Sequence, residues 1–422
     1  MPPRGAGGEG EPLPAQRHGA METGQVALGR TSPGLPDSGL WPCRRPLAAG
    51  PEGETRGVEK PPFSLLSREG ESMLRRIGLV GAFALLGGAG MGRAEDTYPI
   101  LVYPAPRAQE AIQVDGRLVE RAWEMAPLVS GFTFYDRPER APVQTAFRVL
   151  FDEERLYIGV VCDESLADRL PPRPLPRDDA SLFHRESVEI FLDPLHDHTH
   201  YFQFAVDAAG SLYDAEGYNA VWNSQAQVAT QQEKDRWTLE FALPWRDVGL
   251  KPERGRVLGL NLCRNRWLEG RQWTNWSQTA ANFHDPVRFG HLVLEPTREQ
   301  WSRLGEEFRR PDRRGPLFIF EREGISGQTY RALLQRALDE AERALAELRS
   351  LRERQEPAVA AELAQRLEAM EQELGPIRQR LRAPEALDGH TFIQMEQAVH
   401  QLLHRMQDLL WEARLAALLA QI

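Results

Sequence analysis

Apolar residues recur at every second position through the middle of this chain and at every third or fourth position beyond residue 295. That change of period restricts the fold more than any other property of the sequence. A period of two puts alternate side chains on opposite faces of a strand, whereas steps of three and four put them on one stripe of a helix. Strands are therefore expected first and helices after them. Residues 186–207, ESVEIFLDPLHDHTHYFQFAVD, show the first pattern most clearly. Val188, Ile190 and Leu192 alternate with Glu189, Phe191 and Asp193, and Phe202, Phe204 and Val206 alternate with Tyr201, Gln203, Ala205 and Asp207. The Asp-, His- and Pro-rich residues 194–199 between them read as the loop of an antiparallel pair. With the aliphatic and Phe202/Phe204 sides turned into a core, Glu189, Tyr201 and Gln203 lie side by side on the outer face. A carboxylate, a phenol and an amide on a rigid sheet suit hydrogen bonding to a neutral polyol such as a sugar.

Further strands are expected at 145–151 (TAFRVLF), 156–162 (LYIGVVC), 236–243 (RWTLEFAL), 257–266 and 289–294. Residues 156–162 are apolar on both faces, which suits a central strand. Residues 112–123, IQVDGRLVERAW, read as a tight turn at Asp115-Gly116 and one helical turn that points Trp123 inward. Pro and Gly punctuate the gaps, and the fold class expected for 97–295 is an antiparallel β-sandwich, mainly β plus α once the C-terminal part is included. There, one apolar stripe runs from Leu334 to Leu348, a second from Val359 to Leu381 and a third from Phe392 to Ala416, with breaks at Glu356-Pro357 and at 383–389. Such narrow seams and short breaks predict an antiparallel three-helix bundle or coiled coil over 328–422. Either the bundle closes on itself, or one seam stays open for a protein partner or self-association. Residues 296–327, with strand-like LFIFE at 317–321, are expected to be a linker.

Residues 1–72 are rich in Gly, Pro, Arg, Glu and Ser without apolar periodicity, a composition that predicts disorder. At Met73 the pattern changes to Arg75 and Arg76, an apolar run over 77–86, and small residues ending at Gly92-Arg93-Ala94. This is the layout of a signal peptide over 73–94 cleaved near Ala94, so Met73 is read as the true start and 1–72 as an upstream extension. The mature chain is expected to be exported, periplasmic or extracellular, with no membrane span. A net charge of -10 argues against a nucleic-acid partner. Three cysteines without CxxC spacing or a nearby His argue against zinc. Cys162 and Cys263, in separate strands, form either one disulfide or a pair of buried thiols.

The motifs VDG...W, LYIGVVCDE, ESVEIFLDP, YFQFAVDAAG, WTLEFALPW, GLNLCRNR and WS....NFHDPVRFGHLVLE, in that order, resemble the family 9 carbohydrate-binding module over about residues 112–295. The resemblance implies a β-sandwich that is non-catalytic by itself, is often attached to glycoside hydrolases, and in some members carries structural calcium. It implies a sugar held between two aromatic rings with polar groups from the sheet. It places the rings at Phe183 and Phe283, where the family has Trp, and the binding carboxylate at Glu189. The family's neighbouring Arg falls on Ala205, leaving Gln203 or Arg148 to supply that donor. Trp222 and Trp273, in polar loops, are further candidates for exposed sugar platforms.

Each of these residues also has a plain structural reading. Phe183 and Phe283 could be buried loop bases, Glu189 could pair with Arg148 or Arg264, and Trp222 and Trp273 could be wedges under their loops, as Trp237, Trp245 and Trp276 are core. Asp193, Asp197, Asp207 and Asp214 with His196, His198 and His200 have neither HExxH nor EF-hand spacing, so no metal or other cofactor is assigned and the set reads as a polar loop. Glu186 and Glu189 point to opposite faces, so no catalytic pair is assigned. The expected function is that of an exported carbohydrate-binding protein in carbohydrate catabolism. The alternatives are a structural or adaptor protein acting through its helices, or an accessory part of a glycoside hydrolase system.

Overall fold

Alternating residues of the central strands separate onto the two sides of packed sheets in the computed structural model, which describes residues 98–308 and 315–419. The expectations for residues 1–72 and for the signal peptide at 73–94 lie outside the described residues. In chain order the first strands are β1 (Ile100–Ala105), β2 (Thr133–Phe134), β3 (Thr145–Phe151), β4 (Arg155–Asp163), β5 (Ser187–Asp193), β6 (Phe202–Asp207) and β7 (Leu212–Glu216). They continue with β8 (Gln227–Gln232), β9 (Arg236–Pro244), β10 (Val257–Arg266), β11 (Gln272–Asn275) and β12 (Gly290–Leu294). A short helix, α1 (Arg121–Met125), precedes β2 and buries Trp123, as its place in the sequence led us to expect.

The smaller sheet has the order β3-β4-β9-β8 and is antiparallel throughout, with β4 inside it. In the larger sheet β1, β12, β10, β5, β6 and β7 follow one another, and β11 and β2 branch from β10. Val188, Ile190, Leu192, Phe204, Leu260 and Leu262 of the larger sheet meet Phe147, Val149, Ile158, Val160, Leu239 and Phe241 of the smaller one in a single core. The sandwich is mixed rather than wholly antiparallel, because β1 runs parallel to β12. Nearly every residue of β1 is buried, so its sequence, ILVYPA, carries no alternation to mark it as a strand. Across the outer face of the smaller sheet lies the 112–123 segment. There Glu240 accepts hydrogen bonds from the Asp115 and Gly116 amides and from Trp123 Nε1, and a Cβ at Gly159 would fall 2.4 Å from Leu118.

The segment expected as a linker is built into the sandwich. Helix α2 (Arg298–Glu307) and the residue after it set Leu304 and Phe308 against Ile100, Val102, Val257 and Val293. Strand β13 (Leu317–Glu321) then adds to the larger sheet parallel to β1 and continues through β14 (Gly324–Ile325) and β15 (Gln328–Thr329). Thr329 caps the next helix by accepting from the Ala332 amide.

Three helices complete the chain: α3 (Tyr330–Arg352), α4 (Pro357–Arg382) and α5 (Gly389–Leu419). Their apolar stripes turn into one shared cluster, apart from Val359, exposed at the start of α4, and Ala413 and Ala416 near the end of α5. Helices α3 and α4 run in opposite directions, since Arg331 reaches the carbonyls of Leu381 and Ala383 while Glu342 pairs with Arg378. Helix α5 runs parallel to α3, with Phe392 stacked on Tyr330 near one end and Gln355 donating to the Ala413 carbonyl near the other. Its first turns dock on the sandwich: His390 and Gln394 bond Asp163, Gln397 donates to the Ala141 carbonyl, and Glu396 pairs with Arg140. Among the described residues no helix is long and apolar enough to cross a membrane.

Cys162 and Cys263 are free buried thiols. The first lies in the core and the second on the outer face of the larger sheet, so a disulfide between them is ruled out by which way their strands face. Burial pushes the Cys162 thiol up to about 12 and raises that of Cys263 as well.

Candidate functional site

The outer face of the larger sheet takes its character from the odd-numbered positions of β5, β6 and β10. Register sets Cys263 beside Glu189, Glu189 beside Ala205 and Ala205 beside Tyr213, with Asn265 and Ser187 in the row on one side and Phe191 and Gln203 in the row on the other. Glu189 is only 5% exposed and accepts hydrogen bonds from Gln203 Nε2 at 2.6 Å and Asn265 Nδ2 at 2.7 Å. Burial raises its pKa, and these two bonds offset part of the rise. Asn265 is tethered a second time, through Ser187 Oγ at 3.2 Å. A carboxylate flanked by two amides thus forms a polar floor, with Ala205 leaving open the place that the resemblance gives to Arg.

Neither cation expected beside Glu189 is there. Arg148 belongs to the smaller sheet and donates to the carbonyls of Trp123 and Ala126. Arg264 is an even-numbered residue of β10, so it points to the opposite side, where it and Arg266 are buried with Glu164. Glu186 also lies on that side, 3.6 Å from Arg264, so Glu186 and Glu189 do face apart.

Aromatic rings border the floor. Phe183 is half-buried in a turn and meets Tyr213 edge-on at 5.0 Å, on the β7 side. Phe283 is 9% exposed and packs with Tyr135, Phe191, Tyr201 and Phe289 toward the β2 side. Trp273 lies on the same face, opposite Asn265 in register, tilted against Tyr135 at 5.7 Å and covered by the Arg271 guanidinium at 4.4 Å. Trp222 is elsewhere: it leans on Phe202 at 4.7 Å and Phe204 at 6.0 Å, which are core-facing residues, so it wedges the sandwich edge on the side away from Glu189. The face therefore gathers Phe183, Glu189, Gln203, Trp273 and Phe283 and leaves Trp222 out.

Three residues on this face escaped the sequence reading, Asn265, Tyr213 and Tyr218, and His284 stood there only as a polar neighbour of Phe283. The alternation of VLGLNLCRNR was a signal for Asn265. Tyr218 is exposed and stacks on His284, with centroids 4.5 Å apart, and His284 Nδ1 bonds the Tyr201 hydroxyl at 2.9 Å. Burial lowers the His284 pKa to about 4, so the imidazole is neutral at pH 7. Toward β2, Thr133 Oγ1, Trp273 Nε1 and Asn275 Oδ1 are buried without a protein hydrogen-bond partner among the described residues.

Asp193, Asp207 and Asp214 are buried and hold turns together, whereas Asp197 is exposed in the loop. Asp193 accepts from the amides of Leu195 and His198, Asp207 from Ser211 and Arg185, and Asp214 from Ser224 and Arg177. Among the described residues no group of three or more His, Cys, Asp or Glu is arranged to hold a metal.

Residues 114–297 match the sequence model of a family described as carbohydrate family 9 binding domain-like. The chain is similar to endo-1,4-beta-xylanase A of Thermotoga neapolitana, 28% identical over 156 residues, which cover 35% of this chain and 14% of the xylanase. The same enzyme of Thermotoga maritima is 27% identical over 156 residues, with the same coverage. The chain thus spans about a seventh of the length of these relatives, 14%. Among solved structures, a carbohydrate binding module family 9 from Caldicellulosiruptor kristjanssonii in complex with cellotriose is 17% identical, covers 48% of this chain and 96% of that one, and has a TM-score of 0.36. The same module in complex with glucose covers 47% and 96%, with a TM-score of 0.37.

Proposed function

Residues 114–297 being a carbohydrate family 9 binding domain-like unit, we propose that this chain binds carbohydrate on the outer face of its larger sheet. The observation that carries the proposal is the Glu189, Gln203 and Asn265 floor, bonded together within an aromatic border. Glu189 keeps lone pairs for sugar hydroxyls, and the amide oxygens of Gln203 and Asn265 add acceptors. A carboxyl group, two amides and aromatic rings suit the hydroxyls and C–H faces of a neutral sugar. Phe183, Trp273 and Phe283 form the border and exclude water from these bonds. From β2 to β7 the face crosses six strands, roughly 24 Å at the usual strand spacing, enough to lie along several sugar rings. So open a surface gives weak affinity per site.

We read the chain as exported and non-catalytic, serving carbohydrate breakdown by holding polysaccharide. The three C-terminal helices act as a closed bundle that carries the binding face. The test is calorimetric titration of the full chain with soluble oligosaccharides, together with co-sedimentation with insoluble polysaccharides. Binding that is lost on Glu189→Ala supports the proposal. Failure to bind any of them overturns it.

A further inference from the structure

We propose that the ring on which the sugar stacks is Tyr218, braced by His284, and that it accepts a pyranose within a chain; this rests on the carbohydrate reading above and assigns the stacking residue inside it. A pyranose stacks through its C–H face, so the protein ring must be bare on one side. Tyr218 is 76% exposed, whereas Phe283 is 9% exposed and enclosed by other aromatic side chains.

An exposed tyrosine is a useful platform only when it is already held in position, since ordering a loose side chain would consume the gain. Tyr218 is held on three sides. Its inner face lies on the His284 imidazole with an interplanar angle of 17°. His284 is fixed in turn by the Tyr201 hydroxyl and by the Phe191 ring, 5.1 Å away, and the Tyr201 hydroxyl also interacts with Tyr218 itself. The backbone is closed as well. Glu216 and Asn219 bridge each other across the turn, Gly217 takes a φ of 59°, and its amide donates to the Tyr201 carbonyl at 2.8 Å.

The brace also sets the distance to the polar floor. Phe191 follows Glu189 by two positions on the same strand face and pairs in register with Gln203, so the rings under Tyr218 adjoin the groups that would bond the sugar hydroxyls. One face of Tyr218 is taken by His284, and the free face looks outward without a second ring assigned to clamp it. A single open platform leaves both ends of a bound sugar clear for its neighbours in a chain.

The test is calorimetric titration of the full chain and its variants with soluble neutral β-1,4-linked gluco- and xylo-oligosaccharides of increasing length. Tyr218→Ala is expected to weaken binding about tenfold at unchanged melting temperature, which corresponds to about 1.4 kcal/mol. Tyr218→Phe and Tyr218→Trp should keep most of the affinity because they keep a ring, and Phe283→Leu should change it less than Tyr218→Ala does. Wild-type affinity should rise with oligosaccharide length. If Tyr218→Ala binds as wild type does while Glu189→Ala abolishes binding, the assignment of Tyr218 falls and the carbohydrate reading stands. If affinity does not rise beyond the monosaccharide, the within-chain part falls. If the wild-type chain binds none of these or any other glycan, the carbohydrate reading falls and takes this assignment with it.

Discussion

Glu189→Gln and Glu189→Ala should differ, because the carboxylate accepts from two buried donors, Gln203 Nε2 and Asn265 Nδ2. In the glutamine variant the new carbonyl can still accept from Asn265 Nδ2, which Ser187 also holds in place. The new NH2 then faces Gln203, whose amide can turn over and present its oxygen. Both bonds survive, and the cost should stay within about 1 kcal/mol. The alanine variant leaves Gln203 Nε2 without its acceptor at roughly 1–3 kcal/mol, while Asn265 Nδ2 keeps Ser187 Oγ and loses one bond at about 1 kcal/mol, so about 2–4 kcal/mol in total. Acidity adds a second signature. The folded pKa of Glu189 is raised, chiefly by burial, above its unfolded value of about 4.3. Its contribution to stability is therefore fully present below that unfolded value and is lost as pH rises through the folded one. Relative to Glu189→Gln, the wild type should gain stability between pH 7 and about pH 4.5. Urea denaturation of the three proteins at both pH values measures this. Equal losses in the two variants, or a gap between wild type and Glu189→Gln that does not move with pH, would refute the reasoning.

Gly290→Ala should destabilise the sandwich by about 1–3 kcal/mol in a thermal melt, since a Cβ there falls 2.4 Å from the ring of Trp276, which is 2% exposed and has no room to retreat. Asp163→Asn should loosen the docking of α5 and speed hydrogen exchange over residues 389–397. Burial alone would raise the Asp163 pKa, but hydrogen bonds from His390 and Gln394 outweigh it and leave the pKa lowered. That contribution is present above the unfolded carboxylate pKa and fades as pH falls through the folded one, so the exchange difference between wild type and variant should shrink in acid.

The strands that alternate, β3, β5, β6, β9 and β10, were legible because one face of each meets the core, and β4 was legible as an apolar run inside the smaller sheet. Strand β1 was not, since both of its faces are covered and its two parallel partners come from far along the chain. The same division holds at the site. That Glu189 and Gln203 share a face follows from a period of two, and the structure adds only that they touch. Whether a cation accompanies Glu189 depends on sheet membership and long-range register, and neither alternative, Arg148 or Arg264, reaches it. Trp222 and Trp273 sit in loops of similar composition, yet one returns to the core side and the other to the outer side. Tyr218 lies in an unremarkable turn, and only the distant His284 gives its ring a role. The stripes of α3 to α5 were readable because their contacts are helix faces with a fixed period.

Strand β1 is hydrogen-bonded between β12 and β13, and the chain passes from β13 through one small meander straight into α3. Together with the seat of α5 on the sandwich, this leaves no swivel at the junction. A pull on the far tips of the helices would load that ladder and the seat rather than be absorbed by a loose tether. Anything fastened to the helices would therefore dictate the compass bearing of the larger sheet's outer face, and not merely its reach.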